Sequence, residues 1–239
     1  MEYFSQYLAD KGLNLQAVVE LSNLPPEVYG SLANFSDLSR YSQLLLVGHG
    51  GKLFWQQLQK YFSGNDISLC QDPVDQYSAA LIDEFFATDY PDLCYSIIYP
   101  ADKPVGLQKL GEFVGWHFPS PFMVGINSCW GTWFAYRAVV LARSKFQITP
   151  KAPLNSPCTE CADKPCYGAC PAGAVSIQGF SMKTCLDFRL QQRSPCQKRC
   201  LARIACPANS EHQYSDNQLN YHYSCSFKTI KELRLEKGG

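Results

Sequence analysis

Eight of the twelve cysteines in this chain of 239 residues fall between Cys158 and Cys206. They form two blocks. The first is Cys158-x2-Cys161-x4-Cys166-x3-Cys170-Pro171; the second is Cys185, then Cys196-x3-Cys200-x5-Cys206-Pro207. A module this small has little apolar core of its own, so whatever the thiols bind must help hold it together. The N-terminus has no basic start followed by an apolar stretch, which leads us to expect a reducing cytoplasm and no secretory leader. There, clustered cysteines mean metal ligation or redox chemistry more often than disulfides.

Soft thiolates on closely spaced loops suit iron–sulfur clusters. Zinc is the competing reading, since it also takes four thiolates. It usually pairs C-x2-C with a second C-x2-C or with histidines, and the two Cys-Pro steps argue against it. Two blocks, each closing on Cys-Pro, resemble the bacterial two-cluster ferredoxin module, in which the fourth cysteine of each block serves the other block's cluster. That resemblance implies two 4Fe–4S clusters. One would be held by Cys158, Cys161, Cys166 and Cys206, the other by Cys170, Cys185, Cys196 and Cys200. The spacings depart from the ferredoxin run by two extra residues before Cys166 and a wider second block, which bears on the pairing more than on the metal.

Charge is divided along the chain. Residues 1–150 hold nine Lys/Arg against fourteen Asp/Glu, and residues 151–239 hold twelve against seven. A basic half invites a nucleic-acid reading. Two thiolate-bound clusters, however, carry roughly four negative charges between them and would offset most of that excess, which disfavours nucleic acid as a partner. No run reaches the about 18 apolar residues of a membrane span.

The first half reads as an α+β domain with a mixed sheet and helices packed on it. Gln43–Val47 is a buried strand. It leads through Gly48-His49-Gly50-Gly51 into a helix ending near Phe62; the glycine-rich turn matches no phosphate-binding fingerprint and reads as a tight turn. Asp72 suits an N-cap, Pro73 the first helical position and Asp75 the first turn of a helix ending near Thr88. Residues 93–99 read as a strand, and a helix starts at Pro104 and stops near Gly115. Residues 122–126 and 133–142 read as an antiparallel strand pair joined by 127–132. Pro150, Pro153 and Pro157 mark a linker. The expected division is 1–145, a linker at 146–157, a cysteine-rich domain at 158–210 and a tail at 211–239 that wraps or frays. Cys70 and Cys94 read as core, Cys129 as a loop thiol, and Cys225 has no assigned place.

The first half has no P-loop, dinucleotide fingerprint, HExxH or cobalt-ligating Asp-x-His-x-x-Gly motif. Its run Asp72-Pro73-Val74-Asp75-Gln76, together with Gly131-Thr132-Trp133-Phe134-Ala135-Tyr136-Arg137-Ala138-Val139-Val140-Leu141, resembles the cblC-type cobalamin-processing family, which shares a D-P-V-D-Q run and a G-G-W-F-A-I-R-G-V-V-L strand. Leu24-Pro25-Pro26 and the strand and helix at 43–62 fall in the same order, so the likeness spans roughly 15–142. Epoxyqueuosine reductases are similar over a different span: they join a cobalamin-binding domain to a two-cluster module, with a Gly-Trp step like Gly115-Trp116 and a lone cysteine like Cys185.

The resemblances imply a nitroreductase-like domain that binds cobalamin, with FMN as the alternative, followed by a small ferredoxin-like domain with two 4Fe–4S clusters. The corrinoid site they imply draws on Asp75, Gln76, Trp116, His117, Phe118, Trp133 and Arg137. Arg137 matches an arginine that contacts the glutathione carboxylate in the cblC-type family, chemistry a guanidinium suits. Each residue also has an ordinary reading: a helix-start acid, core aromatics, an ion pair on a strand. The implied activity is that of an oxidoreductase passing electrons from the clusters to the corrinoid, and reducing or removing its upper ligand. The donor would be an unidentified low-potential carrier. Alternatives are cobalamin-dependent reduction of a separate substrate, with Asp75, Tyr99 or His117 as proton donor, and a simple electron carrier. No residue can be named as catalytic; the reductases' proton-donating aspartate and tRNA-engaging repeats find no secure counterpart.

Overall fold

The computed structural model describes residues 3–237, apart from 33, 36, 64–66, 68, 69, 102, 103 and 152–154, so Pro153 lies outside the described residues. The chain divides into two compact units. The first is Met1–His117 with Phe134–Leu154; the second is Phe118–Trp133 with Asn155–Gly239. Residues 118–133 therefore belong with the cysteine-rich half.

In the first unit, β1 (Leu15–Glu20), β2 (Gln43–Gly50), β3 (Tyr95–Tyr99) and β4 (Phe134–Ala142) form one sheet in the order β1-β2-β4-β3. Every pairing is antiparallel. The mixed sheet expected from the sequence is thus corrected to a wholly antiparallel one. β2 lies inside the sheet because Leu44, Leu45, Leu46 and Val47 form an unbroken apolar run, all 0% exposed. Val140 of β4 and Val18 of β1 both stand opposite Leu45. β1 is an edge strand, but Thr149 partly covers it: its hydroxyl accepts from the Val18 amide at 2.9 Å and its own amide donates to the Val18 carbonyl at 3.1 Å. Phe146 stacks on Phe4 at 5.6 Å. The first part of the expected linker is therefore packed against the sheet unit.

The helices of this unit are α1 (Gln6–Asp10), α2 (Pro26–Leu32), α3 (Leu53–Tyr61), α4 (Pro73–Asp89) and α5 (Leu107–Val114). α4 buries Val74, Tyr77, Ser78, Leu81, Ile82, Phe85 and Phe86, the spacing of a single helical face. Its start differs from expectation. Asp72 is the N-cap residue but has φ +45°, and its side chain accepts no capping bond; its carbonyl instead receives the amides of Asp75 and Gln76 at 3.0 Å. α5 begins at Leu107 rather than Pro104 and ends, as its sequence suggests, at Gly115 with φ +79°.

The second unit contains α6 (Pro157–Glu160), α7 (Pro165–Ala169), the short hairpin β5 (Val175–Ser176) and β6 (Gly179–Phe180), α8 (Met182–Leu190), α9 (Leu201–Ile204) and α10 (Asp216–Lys237). Residues 122–126 are not a strand paired with β4; they make a bridge between Phe118 and Ile126, and β4 pairs with β2 and β3. Pro119 and Pro121 supply no amide donors there, and Met123 has φ +64°, so no longer ladder forms. The C-terminal stretch, expected to wrap or fray, is a helix of 22 residues. Leu219 and Tyr214 anchor it against Trp133, which is 0% exposed.

Candidate functional site

The second unit gathers its thiols through short helices. Ser156 caps α6 by accepting from the Cys158 amide at 3.3 Å, and Cys161 closes that helix. Cys166 lies in the first turn of α7 and Cys170 ends it. Cys185 sits on α8, Cys200 is the N-cap residue of α9, and Cys206 follows α9 with its amide on the Arg203 carbonyl at 3.2 Å.

Two groups result. Burial is the first cause that raises the thiols of Cys158 and Cys166; after it come the charges of Cys206 and Cys161 for both, with that of Cys158 acting on Cys166 as well. Burial likewise leads for Cys185, Cys196 and Cys200, followed or accompanied by mutual repulsion within the set Cys170, Cys185, Cys196 and Cys200. One cavity is lined by Cys158, Cys161, Cys166 and Cys206, and another by Cys170, Cys185, Cys196 and Cys200. Cys206 thus faces the first block, and Cys170 faces the second. All twelve cysteines are free thiols. Among the described residues, no three His, Cys, Asp or Glu side chains lie close enough to hold a single ion.

The first unit carries a separate polar cluster. A bulge in the β2–β4 ladder places Val47 opposite Ala138 and Gly48 opposite Tyr136, so Arg137 stands between paired residues. Bulges of this kind re-aim a side chain. Arg137 is 9% exposed, and its Nε donates to Nδ1 of His49 at 2.9 Å. His49 stacks on Phe54 at 4.7 Å, and the guanidinium lies 5.3 Å from the same ring. Because Nδ1 accepts, the imidazole proton is assigned to Nε2. Burial pushes the half-buried Asp75 carboxyl up, with Arg137 pulling it down and Asp72 raising it. Tyr99 is raised by burial, eased by Arg137, and raised again by Asp75. These three groups therefore sense one another.

On the same unit, His117 is pushed down, first by burial. Its Nδ1 lies 3.3 Å from the Tyr136 hydroxyl, and Trp116 stacks on Tyr136 at 6.4 Å. Tyr136 reaches so close to α5 that any side chain at Gly111 would overlap its hydroxyl.

The expected residues are thus sorted. Asp75 and Arg137 share one cluster; Trp116 and His117 share another with Tyr136. Gln76 is exposed and donates to the Gln71 carbonyl at 2.6 Å beside the helix start. Phe118 forms the bridge with Ile126 in the second unit, and Trp133 is in that unit's core. Sequence reasoning missed the pairing of His49 with Arg137, 88 positions apart, and the place of Tyr136 beside His117. Tyr136 belongs to the run that carried the family resemblance, next to Arg137. His49 gave no such signal.

No family model and no curated protein matches the sequence. Solved structures do. An epoxyqueuosine reductase crystallised with an epoxyqueuosine-modified tRNA stem loop is 13% identical, with a TM-score of 0.53, over 91% of this chain and 67% of that one. Epoxyqueuosine reductase from Bacillus subtilis is 12% identical, with a TM-score of 0.52, over 89% and 66%. The C. elegans B12-trafficking protein CblC is 12% identical, with a TM-score of 0.53, over 91% and 88%. The chain spans about two thirds of the length of the reductases it matches. These are the two families the sequence resembles, and at such identities the likeness is one of fold.

Proposed function

We propose that the chain is a corrinoid-binding iron–sulfur protein that passes electrons to bound cobalamin, and that its task is to reduce the corrinoid or remove its upper ligand. The observation that carries this reading is the sorting of eight thiols into two groups of four. The donor set is right for the cofactor, since soft thiolates favour iron–sulfur chemistry. Cys158, Cys161, Cys166 and Cys206 would hold one 4Fe–4S cluster, and Cys170, Cys185, Cys196 and Cys200 the other. Bound there, the clusters would supply single electrons at low potential. The likeness of fold to CblC and to epoxyqueuosine reductases supports a corrinoid as acceptor.

The first unit's own groups suit such a ligand. A corrin ring is broad and apolar with amide arms, so Trp116 and His117 offer an aromatic wall. The terminal nitrogens of Arg137 can donate to a carboxylate or amide oxygen, while its Nε stays on His49. Burial raises the Asp75 carboxyl, so it keeps its proton to higher pH than an ordinary carboxylate does, which suits a proton donor at Oδ. That same feature, with Tyr99 beside it, favours a second reading in which a separate substrate is reduced.

The test starts from anaerobic, full-length protein reconstituted with iron and sulfide. About eight irons per chain are expected, and zinc in their place would refute the reading. Cys170→Ser and Cys206→Ser should each lose about half the iron, from different groups. A shift of cobalamin to its base-off spectrum, with turnover of alkyl- or cyanocobalamin and no added substrate, is the expected result. Binding of FMN without a cobalamin shift would point to an electron carrier instead.

A further inference from the structure

The two thiol groups meet the surface on faces of different character. The cavity lined by Cys170, Cys185, Cys196 and Cys200 is also lined by Met123, Met182 and Arg199. Met123 is 57% exposed, Met182 47% and the Arg199 side chain 45%, so the cavity opens to solvent through a mouth of two methionines and a guanidinium. Met182 is held there as the first residue of α8, whose N-cap Ser181 accepts the Thr184 amide at 3.3 Å. The hairpin of β5 and β6 stands at the same cavity, since Val175 and Phe180 line its wall. Ile177, which begins the turn of that hairpin, is 83% exposed.

Charge follows the same division. Residues 170–204 hold six Lys/Arg and one acid, Asp187. Arg189 and Arg203 are buried, whereas Lys183, Arg193, Lys198 and Arg199 are exposed. Lys183 follows Met182 in the chain and Lys198 precedes Arg199, so both flank the mouth. Asp187 is shared by Lys183 and Arg234, and Asp216 meets Arg199, which leaves a positive excess on this face. The hollow beside Cys161 differs. Ser128, Asn155, Glu160 and Asn209 line it. The chain around the first group, 155–169 and 205–215, holds Glu160, Asp163 and Glu211 against Lys164.

An exposed apolar centre inside a charged rim is the anatomy of a protein contact. Methionine suits such a surface because it is flexible and polarisable. Rim charge governs encounter rate and choice of partner more than affinity, and a basic rim selects an acidic partner. Nucleic acid is the competing partner for a basic face. Single-stranded bases stack on exposed aromatic side chains. The exposed apolar residues here are Met123, Ile177 and Met182, and none is aromatic.

We propose that Met123, Ile177 and Met182, within the rim of Lys183, Arg193, Lys198 and Arg199, form the docking surface for an acidic one-electron carrier protein, which delivers its electron to the centre of Cys170, Cys185, Cys196 and Cys200. The proposal rests on the iron–sulfur reading above. The carrier's reduced centre loses one electron and the chain's centre gains it; no bond forms or breaks and no proton moves. Contact is brief, since encounters of this kind bury less than about 1,200 Å².

The experiment mixes reconstituted full-length protein with flavodoxin hydroquinone, an acidic flavin carrier, and follows the appearance of its semiquinone by stopped flow. Iron content and the extent of reduction by dithionite are measured on each variant. At an ionic strength of about 0.01 M, where charges act over about 30 Å, K183E/K198E should slow electron transfer at least tenfold. The wild-type rate should fall steeply as salt is raised, and the variant should lose that dependence. K52E/K60E makes the same change in net charge on exposed lysines of the first unit and should stay near the wild type. The proposal is overturned if K183E/K198E leaves the rate unmoved, if K52E/K60E slows it equally, or if flavodoxin passes no electron to protein that dithionite reduces. An RNA stem loop that binds the wild type and not K183E/K198E, with flavodoxin rates alike, would overturn it in favour of nucleic acid. Protein without iron would remove the cluster reading and this proposal together, whereas full iron and full dithionite reduction with an insensitive flavodoxin rate would remove this proposal alone.

Discussion

Arg137→Met isolates what the buried guanidinium does in the first unit, because it keeps an unbranched side chain of similar length and removes the charge. The hydrogen bond to His49 Nδ1 at 2.9 Å has a charged donor and is buried. Such bonds contribute about 1.5–3 kcal/mol. The cation 5.3 Å from the Phe54 ring adds roughly 0.5–1 kcal/mol. Against these stands the relief of no longer burying a guanidinium, which offsets part of the sum. A net loss of about 2 kcal/mol at neutral pH is expected. Part of it should depend on pH through Asp75. Its folded carboxyl titrates above the ordinary value, so its ionisation costs stability as pH rises from the ordinary carboxylate value through the raised one. Arg137 lessens that cost. Removing it should therefore hurt most at neutral pH and least in acid. D75N alone should stabilise the unit at neutral pH. In a D75N background the Arg137→Met loss should shrink by about 1 kcal/mol, a modest figure because Asp75 is only half-buried and solvent screens it. Because the two units need not unfold together, the readout is amide hydrogen exchange at β2 and β4 between about pH 4 and pH 8. Equal losses at both ends of that range and in both backgrounds would show that Asp75 and Arg137 do not act on each other.

Trp133→Ala should cost the second unit about 3–5 kcal/mol, seen as a fall in its thermal midpoint, because the ring is fully buried against Tyr214 and Leu219. A variant that melted like the wild type yet lost cobalamin affinity would assign Trp133 to the ligand site instead. Gly111→Ala should cost about 1–3 kcal/mol by driving the new methyl into the Tyr136 hydroxyl. Adding Tyr136→Phe should recover much of that loss in thermal melts; no recovery would mean that the clash lies elsewhere.

What the sequence discloses depends on how local its signals are. β2 and α4 are legible because an unbroken apolar run and a proline at the first helical position act within a few residues. The partners of β4 are not, since β2 and β3 pair with it from 84 or more and 40 or more positions away, and nothing local fixes strand direction. Residues 122–126 mislead by being apolar and short, a pattern that periodicity cannot assign. α10 escapes for the opposite reason. Its mean hydropathy is low, and it buries only its first turns, so no apolar stripe runs along it. The same holds for the candidate sites. The cysteines announce themselves by spacing, whereas His49 and Arg137 meet only because the sheet brings them together.

Charge shows how structure changes the meaning of a sequence count. The basic excess of residues 151–239 reads as a diffuse balance for the cofactors. In the fold, most of those cations are exposed, and several already have acidic neighbours: Lys183 and Arg234 meet Asp187, and Arg199 meets Asp216. Exposed charges are screened by water and salt within about 10 Å. Arg189 and Arg203 are buried where screening is weak, and both lie on helices that carry or adjoin cysteines of the two groups. The cations nearest the thiols are therefore a few placed residues, these two arginines and the half-buried Lys164 beside Cys158, and not a net charge. Surface substitutions that reverse the unit's overall charge should move the thiols' own properties less than either arginine does.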